Sequence, residues 1–171
     1  MKIFLVEGTD GSGKTTLINN LKEKYNDVNS VHTIPRDWLQ FEKSADLWQY
    51  LLGKVKSKME YENIVLIDRS FITDFVYRMC IDIGKPSMEF NEFAYLMYNY
   101  NLKIIYCTSK DAYIKANSRG ETYVKDIVVH SKICGMYEHF METMKMLGIS
   151  VVKYDYMVDK IDDLYKKLKE I

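Results

Sequence analysis

Ile3-Phe4-Leu5-Val6-Glu7-Gly8-Thr9-Asp10-Gly11-Ser12-Gly13-Lys14-Thr15-Thr16-Leu17-Ile18 decides how the chain is read. Four apolar residues end at Glu7, the pattern G-x-x-x-x-G-K-[ST] runs from Gly8 to Thr15, and Leu17, Ile18, Leu21 and Tyr25 then recur at helical spacing. A short buried strand, a glycine-rich turn and a helix are expected in that order. Gly8, Gly11 and Gly13 suit such a turn because they tolerate positive φ and leave no Cβ between backbone N–H groups and phosphate oxygens. The helix starting near Lys14 adds its positive dipole end. Lys14 supplies a mobile point charge for the outer phosphates of ATP, and the Thr15 hydroxyl is a hard oxygen suited to Mg2+. Ser12 and Thr16 complete the expected ATP-binding set.

Further segments share the strand signature, being short, rich in Val, Ile and Leu, and bounded by polar or glycine-containing turns. They are Ile64 to Ile67, Ile104 to Cys107 and Ile149 to Val152, with a weaker one from Val31 to Ile34 stopped by Pro35. Helical stripes lie between them. One runs Ile133, Met136, Tyr137, Phe140, Met144, Leu147 and ends at Gly148; the last carries Ile161, Leu164, Tyr165, Leu168 and Ile171. Asp37 to Glu62 reads as a long helix interrupted by Gly53, and Ser87 to Tyr100 as an aromatic-rich one. Strands alternating with helices predict a five-stranded parallel α/β sheet with helices on both faces and ligands at the strands' carboxyl ends.

The composition bounds the rest. The 171 residues, 47% hydrophobic and 28% charged, suit one domain spanning 1–171, with no linker or repeat. The 24 basic and 24 acidic residues balance, so no overall field favours a nucleic-acid polymer or an anionic membrane. Cys80, Cys107 and Cys134 are few and scattered, which fits a reduced cytoplasmic setting, and no apolar run approaches a membrane span. His32, His130 and His139 show no ligand spacing and read as ordinary surface or helix residues.

A phosphate cradle serves GTPase switches, motors and small-molecule kinases alike. The guanine-reading N-K-x-D pattern is missing, the nearest string being Thr108-Ser109-Lys110-Asp111, and the chain leaves little room for a motor's accessory domains. A kinase acting on a small acceptor fits best, with a non-catalytic ATP-binding module as the alternative class. The acceptor side is expected at Asp68-Arg69-Ser70-Phe71-Ile72-Thr73-Asp74-Phe75-Val76-Tyr77-Arg78, where a strand gives way to a helix. Asp68 could hold Mg2+ and Arg69 could fork onto a phosphate or sugar oxygen; the alternative is a pair that caps the helix.

The stretch Val6 to Thr16, the Asp68-Arg69 pair and the later Ser118-Arg119-Gly120-Glu121 together resemble the thymidylate kinase and deoxynucleoside kinase superfamily. The resemblance implies a P-loop nucleoside monophosphate kinase-like fold with a short lid at about 115–123. Arg119 would then stabilise the transferring phosphoryl group with help from Lys115, although both could be a solvated helix face. It also implies a homodimer, for which the apolar Phe71 to Ile83 helix is a candidate interface.

The two branches of this superfamily differ in acceptor, because a nucleoside's 5′-hydroxyl benefits from a general base while a monophosphate already carries an ionised nucleophile. Deoxynucleoside kinases generally have a glutamate before the proline that follows the second strand. Here Ile34 stands before Pro35, and Arg36 resembles the arginine with which thymidylate kinases hold the acceptor phosphate. Trp38 follows, and Asp37 is the substitute base if the acceptor is a nucleoside. Asp10 and Tyr77 resemble residues that meet the acceptor sugar in thymidylate kinases. Ser70 and Asp74 instead resemble the nucleoside-kinase pattern, and Gln49 sits where those enzymes place a base-reading glutamine. Thr73 completes the expected acceptor set. The expectation is transfer from ATP-Mg2+ to a deoxynucleoside monophosphate, dTMP first, with a deoxynucleoside as the alternative acceptor.

Overall fold

The computed structural model describes residues 1–32, 44–56, 63–81, 88–120 and 124–171. Five strands form one all-parallel sheet: β1 Lys2–Glu7, β2 Val28–His32, β3 Ile64–Asp68, β4 Lys103–Thr108 and β5 Val151–Asp155, in the order β2-β3-β1-β4-β5. The helices of the described residues are α1 Lys14–Lys24, α2 Ser44–Lys56, α3 Phe71–Ile81, α4 Phe90–Asn99, α5 Ala112–Ser118, α6 Ile127–Met146 and α7 Ile161–Glu170. None of them is long and apolar enough to cross a membrane.

Strand alternation sends side chains to two separate cores. Ile3 and Leu5 of β1, Val65 and Ile67 of β3, and Ile104 and Tyr106 of β4 pack with the helices α2, α3, α4 and α6. Their neighbours Phe4, Val6, Ile64, Leu66, Ile105 and Cys107 pack with α1 and α7. This is the expected α/β sheet with both faces covered. Because β1 is central, with β3 on one side and β4 on the other, the loop that leaves its carboxyl end opens into the crevice where the chain's direction of winding changes.

Two strands differ from the expected positions. β2 starts at Val28 and pairs Val28 with Ile64, three residues earlier than Val31, while residues 33 and 34 lie outside the described ones. It is an edge strand, so Asn29 and Ser30 can sit in it half-buried, which breaks the apolar run that marks a strand. β5 starts at Val151, and Ile149 ends α6 instead. Gly148, at φ 79°, donates to Lys145 O at 2.9 Å and Ile149 N donates to Met144 O at 3.0 Å, a paired terminus that buries Ile149 as its apolar contact. The long helix expected over Asp37 to Glu62 is described as α2 alone, with 37–43 and 57–62 outside the described residues. The apolar face of α3 is covered within the chain: Phe71, Ile72 and Val76 are buried and Phe75 packs on Phe93 and Phe140. It is a core stripe, so the interface expected there is not supplied by that face.

Candidate active site

The loop between β1 and α1 is fixed by three places where a side chain will not fit. A Cβ on Gly8 would lie 2.3 Å from Cys107 O, one on Gly11 2.0 Å from Ala112 O, and one on Gly13 2.5 Å from the Tyr156 ring. All three glycines have positive φ. The loop is therefore seated against the end of β4, the start of α5 and the turn after β5 at once.

Lys14 folds back over this loop. Its ammonium donates to Gly8 O at 2.7 Å and Thr9 O at 2.6 Å and reaches Ser12 Oγ at 3.4 Å. Burial, and then the nearby Arg69 charge, push its pKa down to about 8. Phosphate oxygens can replace those carbonyls one for one. Thr15 and Thr16 are exposed at the start of α1 and, with Asp10, Gly11, Gly13 and Lys14, line one wall of a cavity of about 490 Å³.

Arg69, Lys115, Arg119 and Tyr156 complete the lining of that cavity. Arg69 is one of the few non-glycine residues with positive φ, at 64°, and its backbone N donates to Val6 O at 3.1 Å. This left-handed turn directly after β3 carries its guanidinium across to Asp10 Oδ1 at 2.5 Å. Burial opposes its charge most strongly, but Asp10 together with the phenols of Tyr77 and Tyr137 outweighs it and holds Arg69 above its already high pKa. Tyr77 stands beside this pair, its phenol raised by burial and by Asp10 and so protonated. Lys115 Nζ donates to the Tyr156 hydroxyl and lies 4.3 Å from that ring's centroid, while Arg119 is exposed at the end of α5.

Beneath the cavity lies a layer that sequence reading passed over. Glu7 is fully buried; Ser70 donates to one carboxylate oxygen and Thr73 to the other, each at 2.6 Å, with the Tyr137 hydroxyl 3.0 Å from Thr73. Burial pushes Glu7 up to about 7, against the hydroxyl bonds and the Arg69 and Lys14 charges that pull it down. Its parity with Ile3 and Leu5 was the signal that it faces the helices α3 and α6. Thr73, expected at the acceptor, is turned instead toward Glu7, and Ser70 with it. Asp74 pairs with Arg78 at 2.6 Å along α3. Gln49 is exposed on α2 and does not line the cavity. Arg36 and Trp38 lie outside the described residues, as do 121–123 of the expected lid.

The residues fit a hard cation coordinated in part by ligand. Thr15 offers an exposed hydroxyl at the cavity, and Asp68 ends β3 near enough for its charge to act on Lys14. Among the described residues no group of three or more His, Cys, Asp or Glu side chains could hold a metal ion by itself.

Residues 3–153 match the family model described as AAA domain. The chain belongs to this AAA domain family. A thymidylate kinase of Campylobacter fetus subsp. fetus (strain 82-40) is 31% identical over 110 residues of this AAA domain chain, covering 52% of the chain and 57% of that protein. The chain thus spans little more than half of that relative's length. Among solved structures, the YorR protein of Bacillus subtilis, in complex with phosphorylated GDP, superposes with a TM-score of 0.68 at 15% identity over 98% of this chain and 93% of its own. Deoxyadenosine kinase from M. mycoides, with products dCMP and a flexible dCDP bound, gives 0.63 at 19% identity over 99% of this chain and 100% of its own. The resemblance to the thymidylate kinase and deoxynucleoside kinase superfamily therefore holds, and the fold is that of a P-loop nucleotide kinase.

Proposed function

We propose that the protein transfers the γ-phosphoryl group of ATP to a deoxynucleoside monophosphate, dTMP first among the candidates. The observation that carries this reading is the Arg69–Asp10 pair, which lines one cavity of about 490 Å³ together with Lys14, Thr15, Lys115 and Arg119. A guanidinium is built to hold an acceptor phosphate and cannot act as a base. The one fully buried carboxylate beneath, Glu7, has both oxygens occupied by hydroxyl donors. Ser70 bonds Glu7 and Asp74 pairs with Arg78, and both still resemble the nucleoside-kinase pattern, which keeps a deoxynucleoside as the alternative acceptor. The curated relative points the same way.

In this reading Lys14 exchanges its loop carbonyls for the outer phosphates of ATP, and Arg119 with Lys115 stabilises charge on the transferring group. Arg36 and Arg69 hold the acceptor phosphate, and Asp10 and Tyr77 approach its sugar. Mg2+, held by Thr15 and Asp68 with phosphate oxygens, would neutralise charge as it builds up. A cytoplasmic homodimer belongs to the same proposal, with light scattering as the check on its assembly.

The test is ADP release with ATP and Mg2+ across nucleosides and nucleoside monophosphates. Turnover of dTMP but not thymidine is expected. Turnover of thymidine alone would replace this reading with a deoxynucleoside kinase. ATP binding without turnover of any acceptor would leave a binding module.

A further inference from the structure

A non-glycine residue at a φ of 64° keeps that conformation only where its surroundings over-determine the backbone, so something has to hold Arg69. The restraint comes from β1. Val6 pairs with Asp68 in the sheet, which starts the turn after β3 beside the end of β1. Val6 O accepts from the Arg69 backbone N at 3.1 Å, and Oε1 of the next residue, Glu7, accepts from the Ser70 hydroxyl at 2.6 Å. Two consecutive residues of β1 thus tether two consecutive residues of the turn.

Ser70 passes the restraint on. Its Oγ accepts from Ile72 N at 3.2 Å and its carbonyl from Thr73 N at 3.0 Å, so the residue that Glu7 fixes also starts α3. The second carboxylate oxygen takes the Thr73 hydroxyl, which the Tyr137 hydroxyl of α6 approaches to 3.0 Å. All of this is buried, on the side of the sheet where Ile3 and Leu5 build the apolar core. A carboxylate is a costly residue there, and an aliphatic side chain would fill the same space without that cost. Packing alone therefore gives no reason for Glu7, whereas the turn that carries Arg69 does.

Glu7 does not line the cavity that Arg69 lines, so any effect it has there is exerted through another residue. Resting on the reading that Arg69 holds the acceptor phosphate, we infer that Glu7 is a positioning residue: through Ser70 it keeps Arg69 in the left-handed turn from which the guanidinium meets the acceptor. The inference concerns position and includes no chemical step of its own.

Steady-state kinetics of Ser70→Ala, Tyr137→Phe, Glu7→Gln and Glu7→Ala separate this from a packing role, with dTMP as acceptor, or thymidine if only thymidine is turned over. Ser70→Ala deletes one oxygen and should raise the acceptor KM about tenfold while the ATP KM stays within about twofold, since a small displacement of a positioning group is enough for that. Tyr137→Phe disturbs the same buried network but spares the bond between Glu7 and Ser70. It should lower Tm and leave the acceptor KM within about twofold. Glu7→Gln keeps an amide atom for the Ser70 hydroxyl and should also stay within about twofold. Glu7→Ala should match Ser70→Ala, and the double variant should be no worse than either, as for residues that act as one unit. Equal rises for Ser70→Ala and Tyr137→Phe, no rise for Ser70→Ala, or a glutamine variant as impaired as the alanine one would overturn the inference. Arg69→Ala tells its failure from that of the underlying reading. If Arg69→Ala raises the acceptor KM and Ser70→Ala does not, only the inference falls; if neither does, the acceptor role of Arg69 falls as well. A readout without acceptor is the guanidinium Nε–H signal of Arg69, to be assigned among Arg36, Arg69, Arg78 and Arg119. It should exchange with water more slowly in wild type and Glu7→Gln than in Ser70→Ala, and equal exchange in all three would sink the inference.

Discussion

Replacing Glu7 by glutamine should abolish the pH dependence of stability that this one residue imposes. Glu7 is held at a pKa of about 7 in the fold against 4.5 for an ordinary glutamate. Between those values the folded chain keeps the proton that the unfolded chain has lost, so stability falls as pH rises. The proton-linked stability is fully present below 4.5 and lost as pH climbs through about 7. At ~1.4 kcal/mol per pH unit, the wild type loses roughly 3 kcal/mol over that window, and glutamine, which does not titrate, loses none of it. The amide keeps the carboxyl's shape, and the Thr73 hydroxyl can turn its proton to Tyr137 and accept from the new N–H instead. Urea unfolding of wild type and Glu7→Gln should be measured at pH 5, 6, 7 and 8. The variant should gain on the wild type by about 1 kcal/mol per unit up to pH 7 and hold level above it. Parallel pH curves for the two proteins would refute the buried-carboxylate reasoning.

ATP binding near pH 8 should take up about half a proton, because Lys14, lowered to about 8 in the free loop, regains its full charge against phosphate; calorimetry in buffers of different ionisation enthalpy should show uptake that fades toward pH 6. No uptake at pH 8 would contradict the folded-back lysine. Gly11→Ala sets a Cβ 2.0 Å from a backbone oxygen at a φ of 75°, so it should lower Tm by several degrees and weaken ATP binding at least about tenfold, read by thermal melts and titration. Lys14→Ala should nearly abolish turnover, and Arg119→Ala should lower kcat by about a hundredfold; an unchanged kcat would remove Arg119 from the chemistry. Arg36→Ala should chiefly raise the acceptor KM in steady-state kinetics.

The geometry of the glycine loop was legible because it is local. Strand, glycine turn and helix follow within sixteen residues, and each glycine has one conformational reason to be there. Asp10 and Arg69 were named separately from a resemblance, and the structure joins them by a left-handed turn at Arg69 that no propensity favours. Glu7 and Tyr137 could not be assembled in the same way. Their contacts span more than a hundred residues and depend on how α6 is rotated against the loop, which is settled by packing of both faces rather than by any short pattern. Thr73 was misplaced for a related reason: a hydroxyl in the first turn of a helix after a strand faces either the crevice or the core, and the buried carboxylate of Glu7 draws it inward. Tyr156, which lines the cavity, is the first residue of the turn after β5.

The contact between Gly11 and Ala112 sets a mechanical tolerance. The carbonyl that would collide with a Cβ begins the helix that ends at Arg119, so the phosphate-gripping loop and the arm bearing Lys115 and Arg119 meet with less clearance than one methyl group. Two parts so closely seated move together: the loop cannot shift toward the start of that helix without meeting the Ala112 backbone.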